Sequence, residues 1–155
     1  IMVDADEFLF ANDGLAAQLD RCRRNNIFIV RTDGYQMVAD EFPQSDKQMT
    51  DLVKRGVRDD LYDKVAAADP SFELFWSPGG HRCKANGTIY SGGIKLLHYR
   101  YFGEDYLRQR NAKQYARMKK EDLRMGFGVH TQPEYEHKYG LQWWRNAIKE
   151  AHEVI

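Results

Sequence analysis

The apolar run Ile1-Met2-Val3 leads straight into Asp4-Ala5-Asp6-Glu7, and this junction constrains the fold more than any other feature of the chain. A short run of large apolar residues without polar alternation reads as a strand buried on both faces, the kind found in parallel α/β sheets. Two carboxylates one residue apart, at the exposed end of such a strand, can both turn towards one hard divalent cation. A bare Asp-x-Asp is otherwise a solvated acidic turn or a helix cap. Its weight here comes from the apolar residues before it and from Glu7-Phe8-Leu9 after it. A chain that starts inside an expected strand is also read as a fragment that continues upstream.

Further along, Asn12-Asp13-Gly14 reads as a helix start, followed by Leu15, Leu19 and Cys22 at helical spacing. Ile27-Phe28-Ile29-Val30 reads as a second strand, extended through Tyr35-Gln36-Met37-Val38 after a turn at Asp33-Gly34. A strand, a helix and a strand in that order predict parallel pairing. Ser45 and Gln48 fit a capping box for a helix through Lys54-Arg55, stopped by Gly56. Asp63 to Ala66, Phe72 to Trp76 and Ile94 to Tyr99 are further strand candidates, and Ser77-Pro78-Gly79-Gly80-His81 is a loop open to close ligand approach. Asn86-Gly87-Thr88 spells a glycosylation acceptor, but Asn-Gly is read as a turn. Helices are expected from Glu104 to Lys120 and from about Leu141 to the end, the latter with Leu141, Trp144, Ile148, Ala151 and Ile155 on one face. The sum is an α/β fold, a mixed sheet with C-terminal helices, forming part of a single domain over residues 1–155.

Composition narrows the partners. Lys plus Arg and Asp plus Glu are 23 each, so no net positive charge recommends a nucleic-acid partner. No run approaches the roughly 18 apolar residues of a membrane span, so no transmembrane segment is expected. Cys22 and Cys83 lack zinc-site spacing, which favours a reduced cytoplasmic setting.

Several side chains could carry chemistry. His98 closes an apolar run and offers an imidazole suited to manganese and related ions, unless it is a satisfied core histidine. His81, in the glycine loop, could touch a sugar or phosphate, and His130 is a rival to both. Lys64 could meet a phosphate as a point charge. Tyr35, Trp76 and Tyr99 could stack on a sugar ring or base, although aromatics in short strands are more often core.

Val3-Asp4-Ala5-Asp6-Glu7-Phe8-Leu9 resembles the Asp-x-Asp segment of GT-A glycosyltransferases of the bacterial family-two-like group. The resemblance extends over Gly34 to Val38, Tyr62-Asp63-Lys64, Pro78 to His81, Leu96 to Tyr101 and Gly126 to His130, in the family's order. It implies a GT-A fold and a metal-dependent, inverting transfer of a sugar from a nucleotide-diphosphate sugar to a saccharide or lipid-linked acceptor. It implies Mn2+ or Mg2+ held by Asp4, Asp6 and His98; Asp4, Lys64, His81, Tyr35 and Tyr99 are the candidates for substrate contact. It further implies a cytoplasmic enzyme, peripheral to an inner membrane, and a nucleotide-binding βαβ unit ahead of Asp4. Asp63 is the chosen catalytic base, with Asp59, Asp60 and Glu41 as competitors. Two alternatives stand beside this reading: a haloacid-dehalogenase-like phosphohydrolase, and a non-catalytic carbohydrate-binding domain.

Overall fold

The computed structural model describes every residue except Pro78, Gly79 and 134–139, and of His130 only the backbone. The protein is a mixed α/β fold made of two compact units, one of residues 1–36 and 58–99 and the other of residues 37–57 and 100–155.

In the first unit, strand β1 (Glu7–Phe10) pairs antiparallel with β7 (Tyr90–Phe102), placing Glu7 opposite His98 and Leu9 opposite Leu96. Strand β7 neighbours β2 (Ile29–Ala39), and β2 pairs antiparallel with β4 (Val65–Ala68). Helix α1 (Leu15–Arg24) begins where expected and closes one face of this layer. Its Cys22 packs with Val30, Ala67 and Ile94, and Leu9, Leu15, Leu19 and Ile27 cover that cluster. A separate hairpin, β5 (Leu74–Trp76) with β6 (Cys83–Ala85), completes the unit.

In the second unit, β3 (Arg55–Arg58) pairs antiparallel with the two-residue β8 (His152–Glu153). A one-turn helix α2 (Met49–Leu52), α3 (Glu104–Tyr115), α4 (Lys120–Arg124) and α5 (Gln142–Glu150) supply the rest. The Arg55 guanidinium donates to the carbonyls of Ile148 and Ala151, and these bonds satisfy orphan acceptors at the end of α5. Trp144 is half-buried, and its indole N–H donates to the Ala39 carbonyl at 3.2 Å.

Five expectations need correction. Ile1 to Val3 form no strand and are exposed, Ile1 to 73%. The strand begins only at Glu7, where antiparallel pairing with β7 starts opposite His98. The pairing of β1 with β7 and of β2 with β4 is antiparallel, not parallel. No turn interrupts β2 at Asp33-Gly34. Gly34 serves close approach instead, because a Cβ there would sit 2.5 Å from the Tyr62 carbonyl carbon and 2.6 Å from the Asp59 oxygen. The helix after Ser45 lasts one turn, and Lys54-Arg55 leave it to enter β3. The last helix ends at Glu150, so that His152 and Glu153 can pair with β3.

Candidate functional site

Alternation along β2 and β7 sends Gln36 and His98 to the same place, and both are buried. His98 Nδ1 lies 2.6 Å from Gln36 Oε1, and Gln36 Nε2 donates to Asp59 Oδ2 at 2.9 Å. A carboxylate only accepts, so Asp59 fixes the amide with its NH2 outward and its oxygen towards the ring. His98 therefore donates from Nδ1, and in the neutral ring Nε2 presents a lone pair. That lone pair faces Asp6 Oδ2 at 3.4 Å. The Tyr62 ring stacks on the imidazole at 4.3 Å between centroids, with 21° between the planes, and fixes its tilt.

Two lone-pair atoms that face each other call for a proton or a cation between them. Two ligand atoms about 2.1 Å from one octahedral ion, at right angles, stand about 3 Å apart, so the observed gap suits adjacent ligands. The chain from Asp59 through Gln36 to the ring is the kind of outer support that sets a ligating histidine's tautomer. The same gap suits a proton shared between ring and carboxylate, and a carboxylate oxygen beside an imidazole nitrogen is a mixed donor pair of the kind a divalent transition ion accepts.

Asp4 behaves differently. Its carboxylate is largely exposed and lies 3.2 Å from Lys64 Nζ. Lys64 is only 7% exposed and also stands 2.6 Å from Glu7 Oε1, in a residue 4% exposed. That close approach is off the hydrogen-bond direction, so Oε1 is held by charge, while Oε2 accepts the Asp4 N–H at 2.9 Å. Among the described residues, no three His, Cys, Asp or Glu side chains are grouped to share one ion. The expected Asp4-Asp6-His98 triad is therefore replaced by an Asp6–His98 pair next to an Asp4–Lys64–Glu7 cluster.

The remaining sequence candidates separate. His81 reaches the edge of the same site, its ring 5.2 Å from that of Tyr62 and its Nδ1 3.1 Å from the Leu61 carbonyl oxygen. Asp63 accepts from the Gly34 N–H at 2.8 Å and is clamped by Arg58 at 2.6 Å, with Arg31 at 3.5 Å. Burial pushes its carboxyl up, but the hydrogen bonds from Arg58 and Gly34 and the charges of Arg58 and Arg31 outweigh this and hold it below the usual range. A carboxylate whose lone pairs are taken up by a guanidinium is a poor proton acceptor, so Asp63 ties Arg58 to the Gly34 backbone and is not a fitting base. Asp59 is likewise committed, to Gln36 and to the Leu61 N–H.

Tyr99 is 4% exposed, and burial pushes its phenol far up. It packs edge-on to Phe8 and presents no face to a substrate. Its backbone N–H donates to the Asp6 carbonyl, which ties the Asp-x-Asp turn to β7. Tyr35, next to Gln36 in the strand, points to the opposite face of β2, where Arg58 and Lys95 flank its ring. Tyr99 therefore leaves the list of substrate contacts, and Tyr35 stands apart from the His98 site. The side chain of His130 lies outside what the structure describes. Sequence reasoning gave Gln36 and Tyr62 no role of their own and named Asp59 only as a rival base, not as a support for the imidazole.

No family model matches the chain, and no curated protein or solved structure matches it either. No helix among the described residues is long and apolar enough to cross a membrane.

Proposed function

We propose that the protein acts in metal-dependent glycosyl transfer, moving a sugar from a nucleotide-diphosphate sugar to a saccharide or lipid-linked acceptor hydroxyl, with inversion. The supporting observation is the imidazole of His98, held by Gln36, Asp59 and Tyr62 so that its Nε2 lone pair faces the Asp6 carboxylate. Asp6 and His98 would hold Mn2+ or Mg2+. When bound, such an ion neutralises the charge that grows on a departing diphosphate. Magnesium-type ions usually take few protein ligands and complete their shell with substrate phosphates and water, so two protein donors suffice. Lys64, fixed between Asp4 and Glu7, offsets the charge of these carboxylates beside the ion site.

Mn2+ titration of the chain, followed by calorimetry, tests this reading. The wild type should bind one ion, and added nucleoside diphosphate should tighten it. Asp6→Ala and His98→Ala should each weaken binding by at least the roughly 10–100-fold that typifies loss of a supporting residue. Unchanged affinity in both variants would sink the proposal. The Asp4–Lys64 contact favours one competing reading, a phosphohydrolase with Asp4 as nucleophile. Turnover of a simple aryl phosphate, lost in Asp4→Asn, would support that reading instead.

A further inference from the structure

A cavity of about 680 Å³ opens beside the metal-site residues, within the first unit. Its volume falls in the range of about 300–1,000 Å³ typical of small-ligand clefts. One wall is Arg31, Asp63, Lys64 and Val65, and the other is the β5–β6 hairpin with His81. Phe75 pairs with Lys84 across that hairpin, so they share a face. Ser77 and Arg82, bonded to each other through the Ser77 N–H and the Arg82 N–H, extend the same face beyond the strands. The result is an exposed aromatic ring, Phe75 at 62%, flanked by two cations and a hydroxyl.

Charge decides what this cavity favours. Four of its lining residues are cationic, Arg31, Lys64, Arg82 and Lys84, against one carboxylate, Asp63. Asp63 is already held by Arg58 and Arg31, and Lys64 by Glu7 and Asp4. The side chains of Arg82 and Lys84 have no acidic partner among the described residues, although the whole chain is electrically neutral. A neutral sugar would gain little from this arrangement. An anionic one would gain charge-assisted hydrogen bonds from Arg82 and Lys84, while its apolar C–H face covers Phe75.

We infer that this cavity binds a saccharide bearing a carboxylate or phosphate, as the acceptor. The inference rests on the transferase reading for the word acceptor, and on the cavity alone for the ligand class. Lys64 lines the cavity and touches Asp4, and His81 lines it and touches the ring stacked on His98, so a sugar seated here lies next to the ion site.

Calorimetry on the full chain distinguishes the cases, with a uronate-terminated disaccharide, a hexose 6-phosphate, the neutral disaccharide and a nucleoside diphosphate as probes. At least one anionic sugar should bind about tenfold or more tighter than the neutral one, with affinity falling as salt rises. Which of the two does so assigns the anion as carboxylate or phosphate. Arg82→Gln with Lys84→Gln should reduce it to the neutral level while Mn2+ binding stays unchanged. Phe75→Ala should weaken the anionic and neutral sugars alike. A nucleoside diphosphate with Mn2+ should not displace the sugar. Equal affinity for neutral and anionic sugars, or full displacement by the nucleoside diphosphate, would overturn the inference. If anionic sugar binds but Mn2+ does not, the ligand class stands and the transferase reading falls.

Discussion

Lys64 and Glu7 form a nearly fully buried ion pair at 2.6 Å, and removing one partner should cost far more than removing both. In Lys64→Met the apolar stem is kept and the ammonium is lost. Glu7 then retains only the Asp4 N–H on Oε2 and becomes a buried, uncompensated charge. Breaking a buried pair in this way costs about 3–5 kcal/mol. The Asp4 end adds little, because that carboxylate is largely solvated. With a urea slope of about 2 kcal/mol per molar, a loss of about 4 kcal/mol moves the unfolding midpoint down by about 2 M. The double variant Glu7→Leu/Lys64→Met removes both charges and their desolvation, so it should be more stable than either Glu7→Leu or Lys64→Met alone. Urea unfolding followed by tryptophan fluorescence and circular dichroism reads all four proteins. A loss below about 1 kcal/mol in Lys64→Met, or a double variant weaker than both singles, would refute the buried-pair account.

Three more outcomes follow from the same geometry. Gln36→Leu leaves His98 Nδ1 and Asp59 without their shared partner, so Mn2+ affinity should fall about 10–100-fold and stability by about 1–3 kcal/mol, read by calorimetry and urea unfolding. Gly34→Ala drives a methyl into the Tyr62 backbone and should cost at least about 1–3 kcal/mol, visible as a lowered melting temperature. Asp63 is held below its unfolded value, so its ionised form stabilises the fold above about pH 4, and that contribution is lost as pH falls through the folded value. Asp63→Asn should therefore be less stable at neutral pH and should show a shallower acid loss of urea midpoint than the wild type.

Residues with one obvious use were legible in the sequence. Helix α1 follows from Leu15, Leu19 and Cys22 at helical spacing. The juxtaposition of Asp6 with His98, 92 positions apart (98 − 6), was expected from a family resemblance and not from periodicity. What stayed hidden depends on partners distant in sequence. Ile1 to Val3 look like a buried strand because three apolar side chains in a row carry no sign that the described residues leave them largely exposed. Gly34 looks like a turn, since sequence cannot show that Tyr62 and Asp59 press against its backbone. Asp63 looks like a free carboxylate until Arg58, five residues earlier, is seen to fold back upon it. Gln36 is an ordinary strand residue in sequence and becomes decisive only when Asp59 fixes which end of its amide meets the imidazole.

Pulsed electron paramagnetic resonance of Mn2+ bound to the chain, with a nucleoside diphosphate present, tests the central claim most directly. The account predicts an imidazole nitrogen coupling and a phosphorus coupling on the same ion. The nitrogen coupling should vanish in His98→Ala, and ion binding should collapse in Asp6→Ala. A bound ion with phosphorus coupling but no nitrogen coupling in the wild type would contradict the claim, as would a nitrogen signal that survives in His98→Ala.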